Sequence, residues 1–341
     1  MKIVNWNIEW MNRWFSGNAN PVWGSGSLTA DQARTVAGKV ARVIRAMDAD
    51  VLTLQEGPSA IAEMDLFLTE FLSDAQAAPL YDALIGADGG AQKLYALRKR
   101  GGRAATMDYA TDAATRTLMD GWLADVNGDL LLETYDFTRA PLVVDVDPEA
   151  GQPIRLIVLH TKSKYVHRGQ QLFDNPDTRQ EFIAEAMLAR RRISAEAFRL
   201  RTYLDTLLQD DMDARIIVTG DFNDGPGRDF FERSYLTHNV TDILLGSTFY
   251  PELIFHHALL GRVDTPALFT ARFDDFVDNV QDRPLLLDHF VVSPALTDYV
   301  RDAGIAHDAF ETELDDMNGP RTARPSDHRP VWAEIGAPLM G

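Results

Sequence analysis

Short runs of Val, Ile and Leu, each ending in a polar residue able to do chemistry, recur along this chain and restrict its fold more than any other feature. Asn7 closes the first run, Gln55-Glu56 follows Val51-Leu52-Thr53-Leu54, and His160 follows 156–159. Asp221-Phe222-Asn223 comes just after 216–219, Asp288-His289 lies within 285–292, and Asp327-His328 stands just before 331–335. Apolar runs this short, bounded by turn formers, read as buried strands. A run at 142–146 adds another. Six strand ends that deliver Asn, Glu, His and Asp are what a scaffold needs to build one site from distant parts of a chain.

Helical periodicity fills the gaps between these strands. Thr29 and Gln32 have the spacing of a capping box, and Val36, Val40, Val43, Ile44 and Met47 repeat at helical intervals, which predicts a helix over 29–47. A longer one is expected over 178–208, carrying Phe182, Met187, Ile193, Phe198, Leu204 and Leu208. Helices alternating with strands make the fold α/β or α+β. Segments 14–28, 101–130 and 168–176 are rich in Gly, Asn, Ser, Asp or Thr and read as loops or insertions. No repeat, linker or low-complexity tract divides the chain, so 1–341 is expected to form a single domain.

Composition narrows the chemistry. The chain contains no cysteine, which excludes a disulfide framework, a thiolate-bound metal and a thiol nucleophile. Lys and Arg number 33 against 51 Asp and Glu, a net charge of -18 that repels polyanions at long range. An anionic substrate must then be met by a local basic patch or a metal. Two runs free of acids suggest such a patch: Arg155, Lys162, Lys164 and Arg168 around His160, and Lys93, Arg98, Lys99, Arg100 and Arg103. Solvated loops are the alternative for the second. The triplet Arg190-Arg191-Arg192 reads as the exposed face of the long helix. Trp6 and Trp10 are assigned to the core, and packing is also preferred over ligand stacking for Trp14 and Trp23. No apolar stretch approaches the ~20 residues of a membrane span. The N-terminus lacks the apolar core of a secretory signal, which points to the cytoplasm unless a signal has been removed.

Taken singly, each polar strand end has an ordinary structural reading, because an Asp before a turn closes an Asx-turn and a His beside a strand is commonly a satisfied structural residue. Their combination and order are more specific. The motifs Asn5-Trp6-Asn7-Ile8, Leu54-Gln55-Glu56, Thr138-Arg139-Ala140-Pro141 and Leu159-His160-Thr161-Lys162 occur in that order. Gly220-Asp221-Phe222-Asn223-Asp224, Leu287-Asp288-His289-Phe290 and Ser326-Asp327-His328-Arg329-Pro330 follow. Across nearly the whole chain this pattern resembles the endonuclease/exonuclease/phosphatase superfamily, which includes deoxyribonuclease I, exonuclease III, bacterial sphingomyelinases and inositol polyphosphate 5-phosphatases.

The resemblance implies a four-layered α/β/β/α sandwich of two mixed sheets with outer helices, and metal-assisted hydrolysis of a phosphate ester. It implies Glu56 as the leading ligand of Mg²⁺ or Mn²⁺, with Asn7 and Asp327 beside it, and Glu9 as a further acidic ligand or an exposed strand-end carboxylate. It implies His328 as general base oriented by Asp288, and Asp221 as the group that positions or deprotonates water, held by Asn223. Which of His328 and Asp221 takes the proton stays open. His160 resembles a second histidine on the phosphoryl oxygens or the leaving group, and Arg139 the arginine that reaches the phosphate; His289 is given no role. Hard oxygen donors suit Mg²⁺ independently of any family. The expected activity is a nuclease-type phosphodiesterase acting on DNA or a similar diester. The alternatives are a phosphomonoesterase, a small-molecule or lipid phosphodiesterase, and a silent binding module.

Overall fold

Two strand–helix–strand units set the geometry. Lys2–Asn7 runs parallel to Val51–Gly57 through the helix Ala30–Met47, and Ile154–His160 runs parallel to Ile216–Asp221 through the helix Arg179–Asp210. Parallel neighbours require a crossover of this kind, and it brings both strands of a pair to an end at the same edge. Antiparallel partners then widen each pair into a mixed sheet. The first sheet has the order Val300–Ile305, Val331–Ile335, Lys2–Asn7, Val51–Gly57, Lys93–Lys99, Tyr81–Ile85. The second has the order His256–His257, Asp288–Val292, Ile216–Asp221, Ile154–His160, Leu142–Pro148, Ala104–Tyr109. The computed structural model describes residues 1–17, 20–87, 90–225, 229–235 and 237–336. Positions 18–19 of the expected 14–28 loop lie outside the described residues.

Side-chain alternation along the strands produces the layers. Val4, Trp6, Leu52 and Leu54 pack outward against Val36, Val40, Ile44 and Phe67 of the helices Ala30–Met47 and Ile61–Phe71. Ile3 and Val51 point the other way and meet Leu156, Val158, Ile217 and Phe290 between the sheets. Ile157, Leu159, Ile216 and Val218 lie under Ile193, Leu200, Leu204 and Leu208 of the long helix. The order is helix, sheet, sheet, helix, the expected four-layered sandwich. Both helices start where the sequence places them; Thr29 Oγ1 accepts from the Gln32 amide at 3.3 Å while Gln32 Oε1 accepts from the Thr29 amide at 2.9 Å.

Several local expectations are corrected. The run at 285–292 is two strands: Val280–Leu285 pairs with Ala271–Asp275 in a separate hairpin, and only Asp288–Val292 joins the sheet. The break falls at Leu286-Leu287, where Thr270 Oγ1 takes the amides of Leu287 and Asp288 at 3.0 and 3.1 Å. Segment 101–130 is no plain loop, for it contains the edge strand Ala104–Tyr109 and the helix Ala113–Met119. Trp10 is 43% exposed, whereas Trp6, Trp14 and Trp23 are buried. Its left-handed backbone, at φ 56°, turns the ring out of the core, under the Arg13 guanidinium. Arg190 is buried against the Phe231 ring and paired with Asp229, so only part of the arginine triplet forms an exposed face.

Candidate active site

The alternation that fills the inter-sheet core continues to the strand ends. The series Ile3-Asn5-Asn7, Leu156-Val158-His160, Ile217-Thr219-Asp221 and Val292-Phe290-Asp288 each step from apolar to polar while keeping one face. Asp221 stands in register between His160 on one neighbour and Asp288 on the other, and Asn7 pairs with Gln55. Close approach of the parallel neighbours is possible because Gly220 has φ +148°; a Cβ there would lie 2.1 Å from the Leu159 carbonyl oxygen.

Glu56 arrives by another route. By alternation it would point outward with Leu52 and Leu54, but pairing with Lys93–Lys99 shifts register between Leu54 and Gly57, and Glu56 takes φ +57°. This bulge turns its carboxylate toward the site. Asn7 Nδ2 donates to Glu56 Oε1 at 3.3 Å and to Asp221 Oδ2 at 2.9 Å. The Trp10 amide and Gln92 Nε2 hold Glu56 Oε2 at 2.8 and 2.7 Å. A left-handed non-glycine residue costs about 1–3 kcal/mol and persists where surroundings enforce it. Asn223 is also left-handed, at φ +49°, and its amide donates to Asp221 Oδ1 at 2.8 Å.

His328 Nδ1 lies 2.6 Å from Asp288 Oδ2, with both side chains buried. Its backbone is fixed from both ends. Trp6 Nε1 donates to the His328 carbonyl at 2.7 Å, and the His328 amide donates to Ser326 Oγ, which in turn donates to the Asn7 carbonyl at 2.6 Å. Burial alone would lower the imidazole's pKa, but the carboxylates of Asp288 and Asp221 hold it well above its ordinary value. Burial pushes Asp221 up to about 7 against the pull of the His328 imidazolium, with Asp288 adding to the rise. His160 is held well below its ordinary value by burial and by Arg139 and His328. Its Nε2 is 3.6 Å from Asp221 Oδ2 and 3.9 Å from Glu56 Oε1, too far for hydrogen bonds and far enough to admit a ligand atom.

Asp327 stands beside this group. Burial and the carboxylates of Glu9 and Glu56 raise its pKa to about 6. Glu9 itself is committed elsewhere, with Arg324 Nη2 and Nε donating to it at 2.6 and 2.9 Å and Arg321 3.4 Å away. Its charge is thereby neutralised. Glu56, Asp327 and Asn7 offer only oxygen or amide donors, a set that fits a hard divalent cation. Asn7 presents Nδ2 to Glu56 while its Oδ1 accepts from the Glu9 amide at 3.0 Å, so ligation by Asn7 requires the amide to turn over. Among the described residues, Asp221, Asp288 and His328 also converge, with one ligand atom from each inside 4.8 Å. Because His328 Nδ1 is already engaged by Asp288, that trio reads more directly as an acid–base cluster.

Arg139 reaches the same place from the loop before Leu142–Pro148. Its guanidinium donates to the Thr161 carbonyl at 3.1 Å, which also accepts from Asn223 Nδ2 at 3.0 Å, and to Gln92 Oε1 at 3.2 Å. Gln92 therefore bridges Glu56 and Arg139. A second unanticipated residue is Glu196, 2% exposed on the long helix. Its carboxylate accepts the amides of Thr138 at 2.9 Å and Lys162 at 3.1 Å, pinning the loops that carry Arg139 and Thr161. Gln92 had no distinguishing sequence signal. For Glu196 the signal was a carboxylate among Ile193, Ala197 and Leu200 on the helix's buried face. His289 is structural, its ring bonded to His257 and to the Asp224 carbonyl.

Most of the two basic runs is paired with carboxylates, while among the described residues Lys162, Arg168 and Lys93 bond only neutral oxygens of Ser163, Gln171 and Ala87. Arg155 is tied to Asp145 and Asp112, and Lys164 to Asp224. Arg98 and Arg100 share Asp82, Lys99 pairs with Asp48, and Arg103 faces Asp50 at 3.9 Å. For these six cations, a stretch without acids along the chain has acids across it in space.

A sequence model of the Endonuclease/Exonuclease/phosphatase family matches residues 4–328. No curated protein sequence matches the chain. Among solved structures, truncated TDP2 of Caenorhabditis elegans is similar over 98% of this chain and 97% of its own, with 14% identity and a TM-score of 0.50. The mannosyl-6-phosphatase of Bacteroides thetaiotaomicron VPI-5482 is similar over 99% of this chain and 100% of its own, with 15% identity and a TM-score of 0.52. At these identities the likeness is one of fold.

Proposed function

The chain belongs to the endonuclease/exonuclease/phosphatase family, whose members are phosphoric ester hydrolases that generally use a divalent metal, and from that premise we propose that it hydrolyses a phosphodiester by in-line attack of water, with Mg²⁺ or Mn²⁺. Glu56, Asp327 and a turned-over Asn7 are the proposed metal ligands. Bound there, the cation neutralises charge that develops on the phosphoryl oxygens.

The observation that carries this reading is Asp221. It is buried, its Oδ1 is held by the Asn223 backbone amide whichever way the Asn7 amide faces, and it is pushed up to about 7. A base whose pKa lies near the working pH combines the right protonation state with a useful driving force. Asp221 is therefore assigned the proton of the attacking water. His328 is already an imidazolium at neutral pH, and with Nδ1 bound to Asp288 it has Nε2–H left to donate to a phosphoryl or leaving oxygen. His160 is neutral and presents Nε2 between Asp221 and Glu56, where it donates to a second oxygen. Asn223 and Arg139 position the Thr161 segment and add donors for the phosphate.

A compact ester is favoured over a long polyanion. The net charge is -18, and several of the cations that might have lined a nucleic-acid track, Arg155, Lys164, Arg98, Lys99 and Arg100, are paired with carboxylates. The test is hydrolysis of bis(p-nitrophenyl) phosphate, p-nitrophenyl phosphate and supercoiled plasmid in parallel, with Mg²⁺, Mn²⁺ or EDTA. Metal-dependent cleavage of the diester with little cleavage of plasmid is the expected pattern. Cleavage of the monoester alone would replace the diester assignment with that of a phosphatase, and no cleavage of any ester would remove the proposal.

A further inference from the structure

Beside the candidate active site lies a cavity of about 460 Å³. Two segments that leave the site enclose it. One is the stretch after His160, which contributes Lys164, Val166 and Gly169 to the lining. The other is the hairpin formed by Ala271–Asp275 and Val280–Leu285. Its Phe273 packs edge-on against His328 at 6.3 Å between ring centroids, and its turn supplies Phe276 and Val277 to the cavity wall. Lys164 adds a further link, since it pairs with Asp224, the residue after Asn223.

The walls are aromatic. The Phe182 ring lies 5.5 Å from Phe276 and 6.0 Å from Phe231, and Ala186 of the long helix leaves space between them. The charged groups of the lining are satisfied within the protein. Arg190 pairs with Asp229 and lies 3.9 Å over the Phe231 ring, Asp275 pairs with Arg283, and exposed Arg168 bonds Gln171. What the cavity offers is therefore a cluster of phenylalanine edges and faces rimmed by polar groups, in a volume typical of small-molecule sites, roughly 300–1,000 Å³.

We propose that this cavity is the subsite for the organic group of the substrate, and that the group is an aromatic ring system esterified to the phosphate. The inference rests on the proposed phosphate-ester hydrolysis and adds to it the chemistry of the alcohol. The phosphate lies among His160, Asp221 and His328, and the ring packs against the Phe276, Phe182 and Phe231 cluster. Phe273, against His328, and Phe276, in the cavity lining, belong to one hairpin that links the two. A flat ring of one or two fused six-membered rings makes edge-on and stacked contacts with these phenylalanines.

The test compares two phosphinates that have no P–O–C bond to hydrolyse, methyl(ethyl)phosphinate and methyl[2-(2-naphthyl)ethyl]phosphinate. Binding is measured by titration calorimetry with Mg²⁺ and in EDTA. The naphthyl compound is expected to bind at least about thirtyfold more tightly, from the apolar area it buries at ~25 cal/mol per Å². Ala186→Trp, which fills the cavity, should bring that ratio to within about threefold. If Ala186→Trp does not fold, Phe276→Ala, which removes a wall, should reduce the ratio at least about fivefold. A wild-type ratio near one, or a ratio untouched by both variants, overturns the subsite. Hydrolysis of bis(p-nitrophenyl) phosphate is measured alongside, so that failure of the hydrolase reading appears as lost turnover and failure of the subsite as a lost ratio.

Discussion

Replacing Asp288 with Asn tests the His328–Asp288 pair with little change of shape. The two groups are 2.6 Å apart, Asp288 is fully buried, and a second Asp288 oxygen has no protein partner. Asn keeps the volume and removes the charge that holds His328 protonated. Breaking a buried charge pair by removing one partner costs about 3–5 kcal/mol. If that full amount is expressed at the transition state, at 1.36 kcal/mol per decade it corresponds to a fall of about 10²–10⁴ in kcat/KM. The assay is kcat/KM for bis(p-nitrophenyl) phosphate across pH 5 to 9, together with an NMR titration of the His328 ring in EDTA. The His328 midpoint should drop in the variant, because the carboxylate that raises it is gone, and the rate loss should accompany it. A normal rate with a shifted midpoint would refute the assignment of His328 as a charged donor, and an unshifted midpoint would refute the electrostatic role of Asp288.

Other consequences are independent of that pair. Glu196→Ala orphans the amides of Thr138 and Lys162, a loss of about 2–5 kcal/mol; thermal unfolding should show it, with Glu196→Gln losing roughly half. Gly57→Ala places a Cβ 2.4 Å from the Tyr95 ring and should destabilise by about 1–3 kcal/mol, read as an earlier denaturant midpoint. Asp221 and Asp327, raised to about 7 and about 6, retain protons in the folded state that the unfolded chain has lost. Their contribution to the stability of the metal-free protein is therefore present at low pH and falls as pH rises from about 4 through about 7. Mg²⁺ or Mn²⁺ should accordingly raise Tm more at pH 8 than at pH 5.5, and an equal shift at both would place the cation away from these carboxylates.

The strand ends were legible because period-two alternation and run length are local properties. Once Ile3, Leu156 and Ile217 are assigned inward, Asn7, His160 and Asp221 follow on the same face. The helix Ala30–Met47 was legible for the same reason, its cap and its apolar stripe both lying within the segment. What the sequence did not disclose depends on partners far along the chain. Glu56 reaches the site through a bulge set by pairing with Lys93–Lys99, a strand whose charged ends obscured it. The basic runs looked unpaired because Asp48, Asp82 and Asp145 come from other segments. Glu9 was left open between metal ligand and strand-end carboxylate, and the partner it has in the structure, Arg324, comes from more than three hundred positions away. The hairpin at 271–285, whose Phe273 touches His328, followed no pattern that distinguishes it from a loop.

The central claim is that Asp221 takes the proton of the attacking water in a metal-dependent phosphodiesterase. Single-turnover hydrolysis of bis(p-nitrophenyl) phosphate with Mg²⁺, comparing wild type with Asp221→Asn while metal affinity is followed by calorimetry, addresses it directly. A rate reduced by about three orders of magnitude or more, the scale at which a positioned base contributes, with metal binding retained, is the expected result. A variant that cleaves the diester at the wild-type rate would contradict the account.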